Sequence, residues 1–196
     1  MNDPLDSNEI EILRSKDWTR RRFLRRAGVG ALGTAIGLYG RTPYALAATA
    51  ANSRPDVQLL EASPFVYVSP IRTNGKESTC HAELWYAWLD DSIIVTVAAD
   101  RWKATALDKG LDRARIWVGD HGRWKTFFGG RNEKFREAPN FLADAERVDD
   151  PKMIDRLIAV YDEKYPEEIA QWRSAMISGS ADGSRILIRY RLATVK

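Results

Sequence analysis

Apolar and polar positions in this chain change period several times, and each change marks an element. Phe65-Val66-Tyr67-Val68 is a short run of aromatic and β-branched residues between Pro64 and Pro70, which predicts a strand. Thr73-Asn74-Gly75-Lys76 predicts a hairpin turn, because Asn-Gly accepts the positive φ of a tight reversal. From Thr79 to Leu89 the chain alternates, with Cys80, Ala82, Leu84, Tyr86 and Trp88 on one face and Thr79, His81, Glu83 and Trp85 on the other. Asp90-Asp91-Ser92 predicts a second turn, and Ile93 to Ala99 is nearly all apolar, the pattern of a central strand. These three strands predict an antiparallel meander.

Downstream, Asp100 to Lys109 reads as a short helix stopped by Gly110. Arg115 to Gly119 reads as a fourth strand and Gly122 to Phe128 as a fifth, ended by Gly129-Gly130. Residues 131–148 read as a loop with a short strand near Ala145–Val148. Asp149-Asp150-Pro151 predicts a helix start, with an Asp cap and Pro at the first position. Ile154, Leu157, Ile158 and Tyr161 then make one apolar stripe at helical spacing. Tyr165-Pro166-Glu167-Glu168 restarts a second helix with Ile169, Trp172 and Met176 on its face. After an Asp182-Gly183 turn, Arg185 to Leu192 is a final strand, with Ile186, Ile188, Tyr190 and Leu192 opposite Leu187, Arg189 and Arg191. Early strands, late helices and a closing strand predict an α+β domain built on a largely antiparallel sheet or barrel.

The first fifty residues follow a different logic. Thr19-Arg20-Arg21-Arg22-Phe23-Leu24-Arg25 resembles the twin-arginine export motif. A weakly apolar run, Ala27 to Tyr39, follows, and then Ala45-Leu46-Ala47, a small-x-small cleavage site. Residues 1–47 are therefore expected to be a cleaved twin-arginine signal peptide, 48–56 a linker and 57–196 the folded domain. The apolar run contains four glycines and is too short for a stable membrane span, which takes about 20 apolar residues. The expected destination is the periplasm or the cell exterior, reached through the twin-arginine machinery.

This address changes the meaning of the charge. The chain has 196 residues, 30 Lys+Arg, 27 Asp+Glu and a formal net charge of +3. The whole surplus lies in residues 1–47, so the remainder balances and a nucleic-acid partner loses its electrostatic support. One cysteine, Cys80, excludes an internal disulfide framework, and two histidines leave too few ligands for a His/Cys metal cage.

Familiar catalytic sets are absent: there is no G-x-S-x-G, P-loop, C-x-x-C or H-E-x-x-H. The informative stretch is Val95 to Leu107, where a buried strand ends and Arg101 and Lys103 open a helix. Cations there suit an anion such as phosphate, or else they are solvated surface charges around a core Trp102. His81 reads as a structural histidine, a proton relay or a haem ligand, and His121 as an exposed turn residue that also keeps the haem option open. Arg189 and Arg191 read as a solvated face or as anion ligands.

The pattern Pro64–Val68, Gly75-Lys76, Glu83-Leu84-Trp85-Tyr86, Asp90-Asp91, Ile93–Thr96 and Lys103-Ala104 resembles the pyridoxamine 5′-phosphate oxidase-like family of flavin-binding split β-barrels. Lys164-Tyr165-Pro166-Glu167 and the Arg185–Arg191 strand are similar to its deazaflavin-using branch. The resemblance implies a split β-barrel, a homodimer and an FMN cofactor, with deazaflavin or haem as alternatives. It further implies a flavin-dependent oxidoreductase acting on a small molecule, or a cofactor-holding protein without catalysis. Carried over by position, it implies that Lys103 contacts the cofactor phosphate and Thr96 the phosphate or ribityl chain. Arg101 and Trp102 flank that site, and Trp85 and Tyr86 lie beside the ring. It names no catalytic acid or base and no metal. The chain differs from the family pattern at Leu111-Asp112-Arg113-Ala114, where relatives carry Asn-Pro, and at Gly75-Lys76-Glu77, which lacks their Pro.

Overall fold

The computed structural model describes residues 56–122 and 132–193. The expected signal peptide, all of the expected linker except Asp56, and nearly all of the strand expected at Gly122–Phe128 lie outside those residues.

A short helix, α1 (Val57–Ala62), opens the described chain, with the Asp56 carboxylate accepting from the Gln58 N–H at its start. Seven strands follow: β1 (Val66–Pro70), β2 (Ala82–Leu84), β3 (Ala87–Leu89), β4 (Ser92–Ala98), β5 (Arg113–Val118), β6 (Asn140–Val148) and β7 (Arg185–Leu192). Helix α2 (Trp102–Asp108) joins β4 to β5, and a 3₁₀ turn (Lys134–Glu137) precedes β6. Helices α3 (Met153–Lys164) and α4 (Ile169–Asp182) lie between β6 and β7. All strand pairs are antiparallel, in the order β2-β1-β5-β6-β7-β4-β3.

The α+β split barrel expected from the sequence is present, but the meander is not. The run Thr79–Leu89 is not one strand with one set of neighbours. Its first half, β2, pairs with β1, and its second half, β3, pairs with β4. These halves are the two opposite edges of the sheet, yet only Trp85 and Tyr86 separate them. Three peptide steps span at most about 11 Å. The sheet therefore curls until its edges meet at this two-residue seam, and the chain itself crosses the gap. The predicted pleat survives the crossing. Leu84, Tyr86 and Trp88 pack into the barrel interior, whereas Trp85, Ala87 and Leu89 face the outer helices.

Interior and exterior follow from the same alternation. Val66, Val68, Val95, Ile116, Phe141 and Ile188 meet inside the barrel, where Ala104 of α2 also packs. Outside, the stripe Ile154, Leu157, Ile158 and Tyr161 of α3 buries against Ile94 and Leu187, together with Ile169 and Met176 of α4. A separate aromatic set, Tyr67, Trp117 and Phe135, closes the outer face of β1 and β5 beneath the 3₁₀ turn.

The turns keep their sequence logic. Gly75 has φ +75° in the β1–β2 connection, and Asn74 Oδ1 accepts from the Lys76 N–H. Asp90 and Asp91 have φ +52° and +53° in the two-residue loop between β3 and β4, where Leu89 pairs with Ser92. Arg156 of α3 forks onto the Asp90 carboxylate at 2.7 and 2.8 Å, and this hydrogen bonding holds the Asp90 pKa below its ordinary value. Two expectations shift. The short strand expected near Ala145–Val148 is longer: the strand β6 begins at Asn140, and its core contacts come from the spaced residues Phe141 and Ala143 rather than from a dense apolar run. Helix α3 starts at Met153 rather than Pro151, with Asp150 capping the turn before it by accepting from the Lys152 N–H.

The seam leaves two residues without ladder partners, and buried backbone groups must be satisfied somewhere. Side chains satisfy them. The Tyr161 hydroxyl donates to the Trp85 carbonyl at 2.9 Å. The Tyr165 hydroxyl accepts from the Tyr86 N–H at 3.2 Å and donates to the Pro64 carbonyl at 2.7 Å. The Tyr86 hydroxyl in turn donates to the Leu60 carbonyl at the end of α1. Tyr165→Phe removes two of these bonds and strands a buried N–H and a carbonyl. The expected loss is about 1–3 kcal/mol in urea unfolding, larger than for an exposed tyrosine. A change within a few tenths of a kcal/mol would show that the hydroxyl does not support the seam.

Candidate functional site

Helix α2 begins two residues later than the sequence suggests. Asp100 lies before it, and Arg101 occupies the cap position without capping through its side chain. Arg101 Nε lies 3.8 Å from the Asp100 carboxylate. Lys103 is in the first turn and only 9% exposed, among Ala104 and Ala106, which fix this face of the helix inward. Trp102 is half-buried on the neighbouring face, with the Lys109 ammonium 5.5 Å from its ring centroid.

Trp102 is one wall of a cavity of about 500 Å³ between α2 and the β1–β2 connection. The other walls are Arg72, Thr73, Ser78, Thr79, Cys80, Lys109 and Leu111. Among the described residues, two cations, three hydroxyls, a thiol, an indole and an isobutyl group line it, and no carboxylate does. Its size is in the range of small-molecule sites. Arg72 Nη2 donates to the Thr79 hydroxyl at 3.4 Å, so one rim cation is already oriented. The sequence reading named Trp102 but not Arg72 or Lys109. Their positions are legible only once the β1–β2 turn is folded back toward α2.

The other expected residues are distributed over the barrel. Thr96 lies on the face of β4 opposite Val95 and Val97, which point inside. There it accepts from Arg185 of β7: Nε to Oγ1 at 3.2 Å and Nη2 to the Thr96 carbonyl at 3.4 Å. Burial lowers the Arg185 pKa from its usual value. The Arg185 stem packs on Gly179 of α4, where a Cβ would sit 2.6 Å from Cγ. Arg185 starts the predicted final strand, and its alternation with Leu187 already places it on the helix-facing side. The sequence reading did not single it out.

Trp85 and Tyr86 form the seam. Trp85 stacks on Tyr165 with ring centroids 4.7 Å apart and an interplanar angle of 10°. Tyr161 meets it edge-on at 5.9 Å. Tyr86 is fully buried, its hydroxyl pKa is pushed upward by that burial, and the Lys164 ammonium sits 3.6 Å from its ring centroid. Both aromatic residues therefore already have partners from α3 and the residue that follows it.

His81 is 6% exposed and its Nε2 lies 3.1 Å from Arg136 Nη2. His121 is half-buried, not an exposed turn residue, and packs against Gly119, where a Cβ would lie 2.3 Å from its Nε2. Arg189 and Arg191 both pair with Glu146 across β6 and β7, at 2.9 and 3.0 Å, which favours a charged outer face over ligation. Among the described residues no group of His, Cys, Asp and Glu is arranged to hold a metal ion. No helix among them is long and apolar enough to cross a membrane.

No model of a known protein family matches the chain, and no curated protein matches it in sequence. Solved structures do resemble it. A conserved hypothetical protein from Mycobacterium tuberculosis is 16% identical, covers 78% of this chain and 82% of its own, and has a TM-score of 0.47. The haem storage protein HutZ from Vibrio cholerae is 14% identical, with 71% and 88% covered and a TM-score of 0.47. A FAD-binding protein from Mesorhizobium loti is 13% identical, with 70% and 87% covered and a TM-score of 0.44. At these identities and TM-scores no function is transferred, and the fold is read from the strand pairing of this chain.

Lys164 carries a consequence for pH. Burial lowers its pKa to about 7, so the folded protein sheds a proton that the unfolded chain keeps up to its ordinary value near 10.4. The unfolded state binds more protons between those values, so this residue makes stability rise with pH from about 7 to about 10. Below pH 7 the full cost of the buried charge remains, offset in part by the Tyr86 ring face. Lys164→Met is expected to raise stability at pH 6 by about 1–3 kcal/mol and to flatten the rise toward pH 9. Equal pH slopes in the two proteins, by denaturant unfolding, would contradict this.

Proposed function

We propose that the protein holds a phosphorylated flavin, FMN, in the groove beside α2 and acts as a flavin-dependent oxidoreductase on a small molecule. The observation that carries this reading is the groove itself: a cavity of about 500 Å³ walled by Trp102, bordered by Arg72 and Lys109 and, among the described residues, lined by no carboxylate. Lys103 follows Trp102 in the first turn of the same helix, buried beside Ala104 rather than lining the groove. That donor set fits a dianionic phosphate, which binds most strongly to charge-assisted donors. It fits the ring less well at the expected place, because Trp85 and Tyr86 already stack with Tyr165 and Lys164. The side chain available as an aromatic wall is Trp102.

In this reading Lys103 and Arg101 hold the phosphate, Arg72 and Lys109 add positive field at the rim, and the hydroxyls of Thr73 and Thr79 offer hydrogen bonds. Thr96 acts at a distance by fixing Arg185 between β4 and α4. A bound flavin would supply hydride transfer, and the protein would supply binding, orientation and the local field. The same donors suit a deazaflavin phosphate. Haem fits less well, since His81 Nε2 is taken by Arg136 and a freed imidazole would be needed as an axial ligand. The reading also includes export by the twin-arginine route, a homodimer in the periplasm or outside the cell, and no nucleic-acid partner. The sequence motif at Thr19–Arg25 and the charge balance of the remaining chain support export and the absence of nucleic acid.

The absorption spectrum of the folded protein after cytoplasmic expression separates flavin, deazaflavin and haem. A colourless protein that also fails to take up added FMN would overturn the proposal. Lys103→Ala is expected to weaken FMN binding by about 1.5–3 kcal/mol, the scale for a hydrogen bond to a charged group. An unchanged dissociation constant would remove Lys103 from the phosphate site.

A further inference from the structure

One guanidinium joins the 3₁₀ segment to two points of the β1–β2 connection. Arg136, in the 3₁₀ turn, donates through Nη1 to Glu77 Oε2 at 2.9 Å, through Nε to Glu133, and through Nη2 toward His81 Nε2 at 3.1 Å. Glu77 belongs to the β1–β2 connection, and its other oxygen pairs with Arg115 of β5 at 2.8 Å. The guanidinium also lies 5.4 Å from the ring centroids of Trp117 and Phe135. Arginine has no acceptor atom, so at 3.1 Å the His81 Nε2 must present a lone pair. The imidazole is therefore neutral here, with its proton on Nδ1.

Protonation removes that lone pair and places a second cation against Arg136, at a site where His81 is only 6% exposed. The charged groups around the pair are Arg136 and Glu133 from the 3₁₀ segment, Glu77 from the connection, Arg115 from β5, and Glu83 on the same strand run as His81. Each Glu77 oxygen already faces an arginine, so an imidazolium there would compete with Arg115 and Arg136 for that carboxylate. What the pair holds down is apolar: Phe135 is fully buried, stacked on Tyr67 at 4.8 Å and edge-on to Trp117 at 5.0 Å.

We propose that His81 and Arg136 form an acid-released latch: the neutral imidazole accepts from Arg136 and clamps residues 132–139 onto β1 and β5, and protonation of the imidazole frees that segment and uncovers the Tyr67–Trp117 surface. The latch does not depend on what the groove beside α2 holds.

Hydrogen exchange of the full chain tests this between pH 8 and 5.5, a window in which ordinary carboxylates keep their charge. After correction for the intrinsic rate, protection in residues 132–139 is expected to fall at least tenfold at the acid end, while β4 and β7 stay protected. In His81→Gln, whose amide oxygen still accepts but does not titrate in this window, protection is expected to stay level. The chain has only two histidines, so imidazole NMR of the unaltered protein gives a second readout that needs no variant. The His81 ring is expected in the Nδ1–H form at pH 8, and its titration is expected to coincide with the loss of protection. Constant protection across the window would overturn the latch, as would an equal loss in the Gln variant or a His81 titration that leaves 132–139 protected.

Discussion

The barrel depends on how its seam is held. A sheet of seven strands has two edges, and here the single stretch Ala82–Leu89 supplies both of them. The crossing residues, Trp85 and Tyr86, have no strand beside them to complete a ladder. Tyr161 and Tyr165, one helical turn apart, meet the exposed backbone with their hydroxyls. Their rings pack against Trp85 on the outer face, one stacked and one edge-on. A buried N–H or C=O left unpaired costs free energy on the scale of a whole hydrogen bond, so these contacts are a condition of closure rather than an addition to it.

That constraint orders the rest of the molecule. Helix α3 must lie across the outside of the seam to deliver Tyr161 and bring in Tyr165, which in turn fixes its apolar stripe against β4 and β7. Arg156, on the same helix, reaches the β3–β4 turn and holds Asp90. The Tyr86 hydroxyl ties down the end of α1, and Tyr165 ties down Pro64 just before β1. Lys164 is drawn in beside these rings because it ends α3 next to Tyr165, and its buried charge is the cost of that placement. The groove beside α2 lies away from this apparatus, bordered by the β1–β2 connection and α2.

Much of the fold was legible in the sequence because it rests on local rules. The alternation assigned the faces correctly from Leu84 to Leu89, although Thr79 and Cys80 line one groove together, and the stripe Ile154, Leu157, Ile158 and Tyr161 is buried as its spacing requires. The change of partners at Trp85–Tyr86 left no local trace, since a strand that switches neighbours keeps its pleat. Only the end of β6, Ala145–Val148, was expected, because Asn140, Asp144 and Glu146 on one face and the small Ala143 and Ala145 on the other interrupt the apolar pattern. Among the candidate site residues, the sequence placed Lys103 at the start of a helix but not its burial beside Ala104 and Ala106, which the fold supplies. The involvement of Tyr86 and Trp85 with α3 was not legible either, because it depends on residues some eighty positions later. Arg72 and Lys109 were hidden for the same reason: only the folded connection places them around one cavity.

The claim that side-chain hydroxyls replace a missing strand at the seam is tested most directly at one atom, the Tyr86 N–H. Residue-resolved hydrogen exchange of the full chain should show this amide protected to the same order as the amides of β4 and β7, although no strand pairs with it. Exchange at the rate of exposed turn amides would contradict the account, because it would mean that the seam is open and that the Tyr165 hydroxyl does not close it.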